Sequence, residues 1–355
     1  SRFEDVYMLV NDARDEAQAR AFLEAVVAGT SVKDQFSREL DTSGRTYIGH
    51  DRKPSELPAI GTYGISFVRA PLDDLWTRDT APVMVLDPEG NLHGVNLNFN
   101  GWGQWPLSTG LCDWTKDPLK TEAGVIDQPI EDDRMVASFI CDYLDLPEVN
   151  TWLTAEGGGI EVNGAGLGMA MASSIINENR NPNKSRSAID EELRRLLGIE
   201  HMLWMPGLKG KELTDWHVDF TARFASRNEI VAAFDRNFEP EDNRNELALH
   251  EAIDRVNALP EEKRTRYLGD AATSLGLHML PVPDAEKVYE AYKARNVDVR
   301  ITDRSLEEFV ETTAPGYIGY THANGAIIMG QFGDAEADLE AFSRVQGLYP
   351  DHVVI

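Results

Sequence analysis

The 355-residue chain carries 60 acidic against 34 basic residues, a formal charge of -26, with 42% apolar and 26% charged residues. That balance belongs to a globular protein and excludes a disordered or membrane-embedded chain. The acidic field repels phosphate backbones and anionic bilayers, so neither nucleic acid nor a membrane is expected as a partner; it would draw in a small cation, although an acidic surface also serves solubility alone.

No apolar run is long enough to span a bilayer, and "SRFEDVYMLV" at the amino terminus lacks the basic stretch, apolar core and cleavage site of a leader, so a cytoplasmic location is expected. From there the chain alternates strand and helix patterns. "VYMLV" (6–10) reads as a strand, 14–27 as a helix, and 64–70, 81–86 and 91–100 as strands, each short and apolar or alternating between turn residues. Helical spacing of apolar residues over 131–145 is followed by a strand over 166–172 and a helix over 187–197, which Ser187 and Asp190 open in a capping-box pattern. A strand over 229–234, helices over 245–258 and 284–295, a strand over 325–330 and a helix over 335–347 capped by Asp334 complete the series. The class is α/β. Length alone suggests two domains unless repeated units share one closed architecture. No linker divides the chain and no sequence period emerges, so any repeat has to be structural.

Cys112 and Cys141 are the only cysteines, too few for a disulfide framework and without metal or redox spacing. Cys141 falls in a helical pattern and reads as a small buried residue; Cys112 sits in the turn-rich "GLCDWTKDP".

Chemistry concentrates in four polar clusters at strand ends or turns: "LWTRDTAP" (75–82), "NFNGWGQW" (98–105), "AEGGGIEVNG" (155–164) and "ELTDWHVDFTARF" (212–224). In the last, His217 and Asp219 alternate with Val218 and Phe220, so a strand there would put the polar pair on one face and the apolar pair in the core. Glu156 precedes three glycines that let backbone approach a ligand closely. Singly, each cluster has a bland explanation as an ion pair, a turn or a satisfied histidine; together they gather three carboxylates and an imidazole, which packing does not require.

"DDLWTRDTAP", "NFNGWG", "EGGGIEVNG", "NENRNPNKS", "TDWHVDFTARF" and "ANGAIIMGQFGDAEAD" resemble, in that order, the landmarks of the agmatine deiminase and bacterial-type peptidylarginine deiminase family. The resemblance implies a single catalytic domain over 1–355, a five-bladed α/β propeller of ββαβ-like units around a central site. It implies hydrolytic deimination of a guanidinium, most simply agmatine to N-carbamoylputrescine and ammonia, with no cofactor and no metal. Peptidyl or free arginine is the alternative substrate, and a non-catalytic guanidinium-binding homologue the alternative protein.

By the same resemblance, Asp79 and Asp219 accept paired hydrogen bonds from the planar guanidinium, a cysteine attacks its central carbon, and His217 protonates the departing ammonia and then activates water. Glu156 orients His217 or bonds the substrate. Trp76, Trp102, Trp216 and Asn324 are carried as substrate-contacting candidates, with Trp216 standing where the family usually has glycine. Arg78 reads as a support held by Asp73 or Asp74; Arg180, Lys184 and Arg186 could serve the carboxylate or backbone of an arginine substrate but read most simply as solvent-facing. The family's nucleophile lies in a Gly-rich segment after the counterpart of "LYPDHVVI", so it is expected beyond Ile355 and neither visible cysteine is assigned that role. A homo-oligomer is compatible with all of this.

A competing pattern is a non-haem iron site, His217-Val218-Asp219 completed by His250, His278 or His322. It leaves "LWTRDTAP" and "EGGGIE" without a role.

Overall fold

An antiparallel strand pair, a helical crossover and a third strand parallel to the second make one motif that recurs along the chain. The computed structural model describes residues 4–28, 32–33, 39–40, 64–103, 129–210, 213–234, 242–295, 305–306, 309, 313 and 315–355. They fall into two compact units, Ser1–Leu72 with Pro283–Ile355, and Asp73–Val282. Cys112 lies outside the described residues.

In the first unit, β1 (Val6–Val10) pairs in parallel with β4 (Ile65–Arg69), and β2 (Val32–Lys33) pairs antiparallel with β3 (Glu39–Leu40). The second unit holds three sheets. β5 (Val83–Leu86) runs antiparallel to β6 (Leu92–Val95), and the helix Val136–Tyr143 leads to β7 (Glu148–Val149), parallel to β6. β8 (Ile160–Val162) and β9 (Leu167–Met171) form the next pair, and the helix Arg186–Leu197 leads to β10 (His201–Met205) beside β9. β11 (Ala222–Phe224) and β12 (Glu229–Ala232) repeat the pattern, with helices Asp242–Asn257 and Glu261–Leu268 before β13 (Gly276–Met279). Back in the first unit, β14 (Thr321–Ala323), β15 (Ala326–Ile328), the helix Ala335–Leu348 and β16 (Val353–Val354) give a fourth copy. The repeat absent from the sequence is thus present in the topology.

The middle strands β9 and β12 are covered on both faces, which explains why they are apolar runs visible in sequence. β9 shows the period of two: Leu167, Met169 and Met171 pack with Leu249, Ala252, Ile253 and Val256 of the helix Asp242–Asn257, while Ala170 turns to Ile189, Leu193 and Leu196 of the helix Arg186–Leu197. The latter helix is capped by Ser185, whose hydroxyl accepts from the Ala188 N–H at 3.2 Å, two residues earlier than the Ser187–Asp190 pattern suggests. Asp334 caps its helix as expected, accepting from Ala337. Among the described residues no helix is long and apolar enough to cross a membrane.

Leu193 is wholly buried between two layers, so Leu193→Ala should cost about 2–5 kcal/mol of stability through lost contacts and a residual cavity. Urea unfolding of the two proteins measures the difference.

Candidate active site

Each sheet of the second unit is preceded by a short helical turn, and each turn carries part of the polar cluster. Thr77–Thr80 precedes β5, Gly157–Gly159 runs into β8, and Val218–Phe220 precedes β11. The first turn closes when the N–H groups of Asp79 and Thr80 reach Trp76 O at 2.9 and 3.1 Å, and it ends at Ala81, whose extended backbone suits Pro82. The second packs so tightly on the first that a Cβ on Gly157 would stand 2.2 Å from Arg78 O. Glycine is required there.

The three turns converge on Gly158. A Cβ built on it would lie 2.6 Å from Asp219 Oδ2, 2.7 Å from Asp79 Oδ1 and 2.8 Å from His217 Nδ1. Asp79 is held on both oxygens, Oδ1 by the Gly158 N–H at 3.0 Å and Oδ2 by the Trp102 indole N–H at 2.8 Å. His217 Nε2 donates to Glu156 Oε2 at 3.1 Å, which leaves Nδ1 facing the hollow, 3.7 Å from Asp79 Oδ1. Behind them Arg180 Nε donates to both Glu156 oxygens at 2.8 and 3.0 Å, its Nη1 to Asp215 Oδ2 at 2.8 Å and its Nη2 to Thr214 O at 2.9 Å. Asp219 is different. Its Oδ2 lies 3.9 Å from Arg78 Nε, itself engaged through Nη2 with Glu161 Oε1 at 2.7 Å, and its Oδ1 is buried with no hydrogen-bond partner among the described residues.

These contacts set the charge states. Burial works against an ionised Glu156, but the Arg180 charge and the His217 hydrogen bond overcome it and hold its carboxyl at about 2. Burial likewise pulls His217 down, yet the Glu156 bond and the charges of Asp79, Glu156 and Asp219 keep it at about 8, so the imidazolium form dominates at neutral pH. Asp219 is pushed up to about 6 by burial, and Asp79 adds repulsion that His217 and Arg78 only partly offset. Glu161 is also raised by burial, against the pull of Arg223 and Arg78. The hollow is short of positive charge on the side where Asp219 stands.

The structure thus brings Asp79, Glu156, His217 and Asp219 together in one place, but not on the strand that alternation suggested. His217 starts a 3-10 turn; Val218 is buried while Phe220, expected in the core, is 50% exposed. Of the three candidate tryptophans only Trp76, 44% exposed at the head of its turn, lies at the surface. Trp102 is 1% exposed and serves Asp79 instead. Trp216 packs in the core with Met169, Met171 and Phe224 and donates its indole N–H to Thr221 Oγ1 at 3.0 Å, so it does not line the hollow. Asn324 lies in the first unit, in the β14–β15 turn, with its backbone N–H on Glu4 Oε2 at 3.2 Å.

Other expectations need correction. Arg78 pairs with Glu161, because Asp73 is tied to the 132–133 backbone and the Asp73 and Asp74 N–H groups to Asp133. Arg180 is buried, whereas Lys184 and Arg186 do lie at the surface, over the rings of Trp152 at 4.2 Å and Trp204 at 5.3 Å. His250 sits near Glu246 and His278 bonds Glu229, and among the described residues no group of three His, Cys, Asp or Glu side chains has metal-holding geometry, so the facial triad does not form. Sequence reasoning put Arg180 at the surface and missed Asp215. The one signal in the sequence was an arginine between asparagines; the φ angles of 62° and 77° at Asp215 and Trp216, unusual for non-glycine residues, show only in the structure.

Three acceptor-bearing turns thus surround one imidazole, and comparison with known proteins shows which family carries this arrangement of the chain. The profile of the Porphyromonas-type peptidyl-arginine deiminase family matches residues 1–355, and the chain belongs to that family. It is 27% identical over 301 residues to the agmatine deiminase of Pseudomonas aeruginosa (strain LESB58), covering 82% of this chain and 71% of that one. To the agmatine deiminase of Medicago truncatula it is 28% identical over 294 residues, covering 80% and 70%. The solved structure of the Enterococcus faecalis agmatine deiminase superposes with a TM-score of 0.60 at 24% identity, covering 99% of this chain and 87% of that one, which is a likeness of fold.

Two outcomes follow from this geometry. Gly158→Ala should abolish guanidinium binding measured by calorimetry, since the methyl fills the point where three site groups meet. Asp219, raised from 3.8 to about 6, disfavours folding once ionised, a penalty present above pH 6 and gone below pH 4. Asp219→Asn should therefore stabilise the ligand-free protein by on the order of 1–2 kcal/mol at pH 7.5 and not at pH 4, as read from melting curves.

Proposed function

We propose that this protein hydrolyses the guanidinium of agmatine to N-carbamoylputrescine and ammonia. The observation that carries the proposal is the unpartnered Asp219 Oδ1, buried beside Asp79 and His217 Nδ1 in a hollow whose carboxylates outnumber its cations. A guanidinium supplies both what is missing, a charge and in-plane N–H donors. Among the described residues, four three-stranded sheets that copy one motif, with the parallel pair β1–β4 as the remnant of a fifth, also suit the five-bladed propeller and the single catalytic domain over 1–355 that belong to this proposal.

In the proposed sequence of steps a cysteine thiolate, assigned to neither Cys112 nor Cys141, attacks the guanidinium carbon. His217 Nδ1 gives its proton to one nitrogen, the C–N bond breaks, and ammonia leaves a thiouronium bound to sulfur. Neutral His217 then takes a proton from water as the oxygen adds to carbon; the C–S bond breaks, the thiolate is restored, and the excess proton of the ureido product leaves with ammonia as ammonium. Glu156 keeps the ring turned toward the substrate throughout.

Agmatine is favoured over arginine by the state of the two arginines at the hollow. Arg78 is engaged by Glu161, and Arg180 by Glu156 and Asp215, so neither is offered to a substrate carboxylate.

Ammonia release from agmatine by the full-length protein is the direct test, and no release above the background of a His217→Asn variant would sink the proposal. Asp219→Asn should lower kcat/KM by about two to three orders of magnitude, the usual range when one partner of a desolvated charge pair is truncated. Replacing Cys112 and Cys141 together by Ser should leave most activity in place. Binding should also follow Asp219: below about pH 6 agmatine affinity should weaken by about tenfold per pH unit, and the Asn variant should lose that dependence.

A further inference from the structure

The buried guanidinium of Arg180 lies behind the hollow, reaches no solvent and is paired with Glu156 and Asp215. Its base is fixed first: the Arg180 N–H donates to Asn177 Oδ1 at 2.8 Å, and the neighbouring Asn181 amide donates to Thr154 O at 2.8 Å and Ile175 O at 2.9 Å. From that anchor two paths lead to His217. One runs through Glu156, which Arg180 Nε grips on both oxygens and whose Oε2 receives the ring Nε2–H. The other runs through the strap 214–215, where Nη1 holds Asp215 Oδ2, Nη2 holds Thr214 O, and Thr214 Oγ1 accepts the His217 backbone N–H at 3.0 Å.

We propose that Arg180 is a positioning residue for His217, fixing the ring through Glu156 and the backbone beneath it through Thr214 and Asp215. An ionised carboxylate only accepts hydrogen bonds, so as long as Glu156 is ionised the imidazole must present Nε2–H to it and turn Nδ1 to the hollow. A neutral Glu156 could donate instead, and the ring would be free to take the other tautomer or flip. Arg180 excludes that alternative, since its charge lies against both carboxylate oxygens. The charged groups around the pair are Glu156, Asp79 and Asp219 facing His217, Asp215 facing Arg180, and Arg78 with Glu161 beyond Asp219. A lysine could supply the charge and cannot reach Glu156, Asp215 and Thr214 O together, because it lacks the planar fork. The catalytic consequence rests on the deiminase function proposed above; the orientation of the ring does not.

The test uses Arg180→Lys and Arg180→Gln in the full-length protein. Its first readout is the slowly exchanging ring N–H resonance of His217, assigned by its disappearance in His217→Gln; its second is the split of kcat against KM for agmatine. Both variants should lose or displace that resonance, with kcat down by about 10- to 100-fold and KM within about threefold of the parent, the pattern of a lost support behind a reacting group. A folded Arg180→Lys protein with the parent resonance and kcat overturns the proposal, and so does a raised KM at unchanged kcat, which would assign Arg180 to the substrate. If neither variant folds, Asp215→Asn releases the strap while leaving Arg180 on Glu156. It should shift the resonance and lower kcat in the same direction by a smaller factor, and a parent-like result there is equally fatal. A moved resonance in a protein that never releases ammonia from agmatine would discard the deiminase function and keep the positioning role.

Discussion

An arginine cut off from water tolerates no arrangement but one in which carboxylates meet it, and Arg180 meets two that are buried as completely as itself. The pairing decides which chain segments can be neighbours. Glu156 belongs to the turn before β8, Asp215 to the strap before β11, and Arg180 to the segment following the short helix Ala172–Ile175. The second and third sheets of this unit are therefore joined by charge at one end, while their middles are joined by the apolar contacts of β9 and β12. Removing any one member would leave an uncompensated buried charge, which costs more than the intact group contributes.

In front of this balanced knot the hollow is unbalanced. Asp79 is satisfied by Gly158 and Trp102, Asp219 is not, and the imidazolium lies close to both. Burying a carboxylate oxygen without a donor costs free energy that folding has to recover elsewhere, and the large apolar clusters on either side of β9 are where it is recovered. The same holds for the backbone. Asp215 and Trp216 both adopt positive φ, a strain that the buried indole and its hydrogen bond to Thr221 offset. A ligand that pairs Asp219 would relax part of this imbalance, so affinity is stored in the empty site.

How much of this could be read in advance depended on length and on partner. The middle strands stood out because burial on both faces makes β9 and β12 continuous apolar runs. Their outer neighbours β8, β11 and β14 are three residues long and rich in polar or small side chains, too short for a period to show. Four residues, His217 to Phe220, alternate polar and apolar whether they form a strand or a turn, and the apparent strand face was a coincidence of that brevity. Asp79, Glu156, His217 and Asp219 were legible because each sits in a polar motif at an element boundary. Arg180 was not, since a basic residue in an Asn-rich stretch looks solvated until the carboxylates that bury it arrive from 24 and 35 positions away.

The repeated topology accounts for the precision of the site. A turn that leads directly into an outer strand inherits that strand's position, and each outer strand is pinned by antiparallel registers such as Ile160 to Ala170 and Ala222 to Ala232. The groups of the hollow are thereby set by sheet geometry although they stand on turns, and the three turns press on one another closely enough that Gly157 and Gly158 admit no side chain. A compact ammonium placed at Gly158 would satisfy the charge yet leave acceptors spread over three turns competing for one point of donors. On the function proposed above, a planar cation with donors on several edges would match acceptors that come from different directions. On that proposal the rigidity of the turns, more than their charge, would discriminate between those two cations.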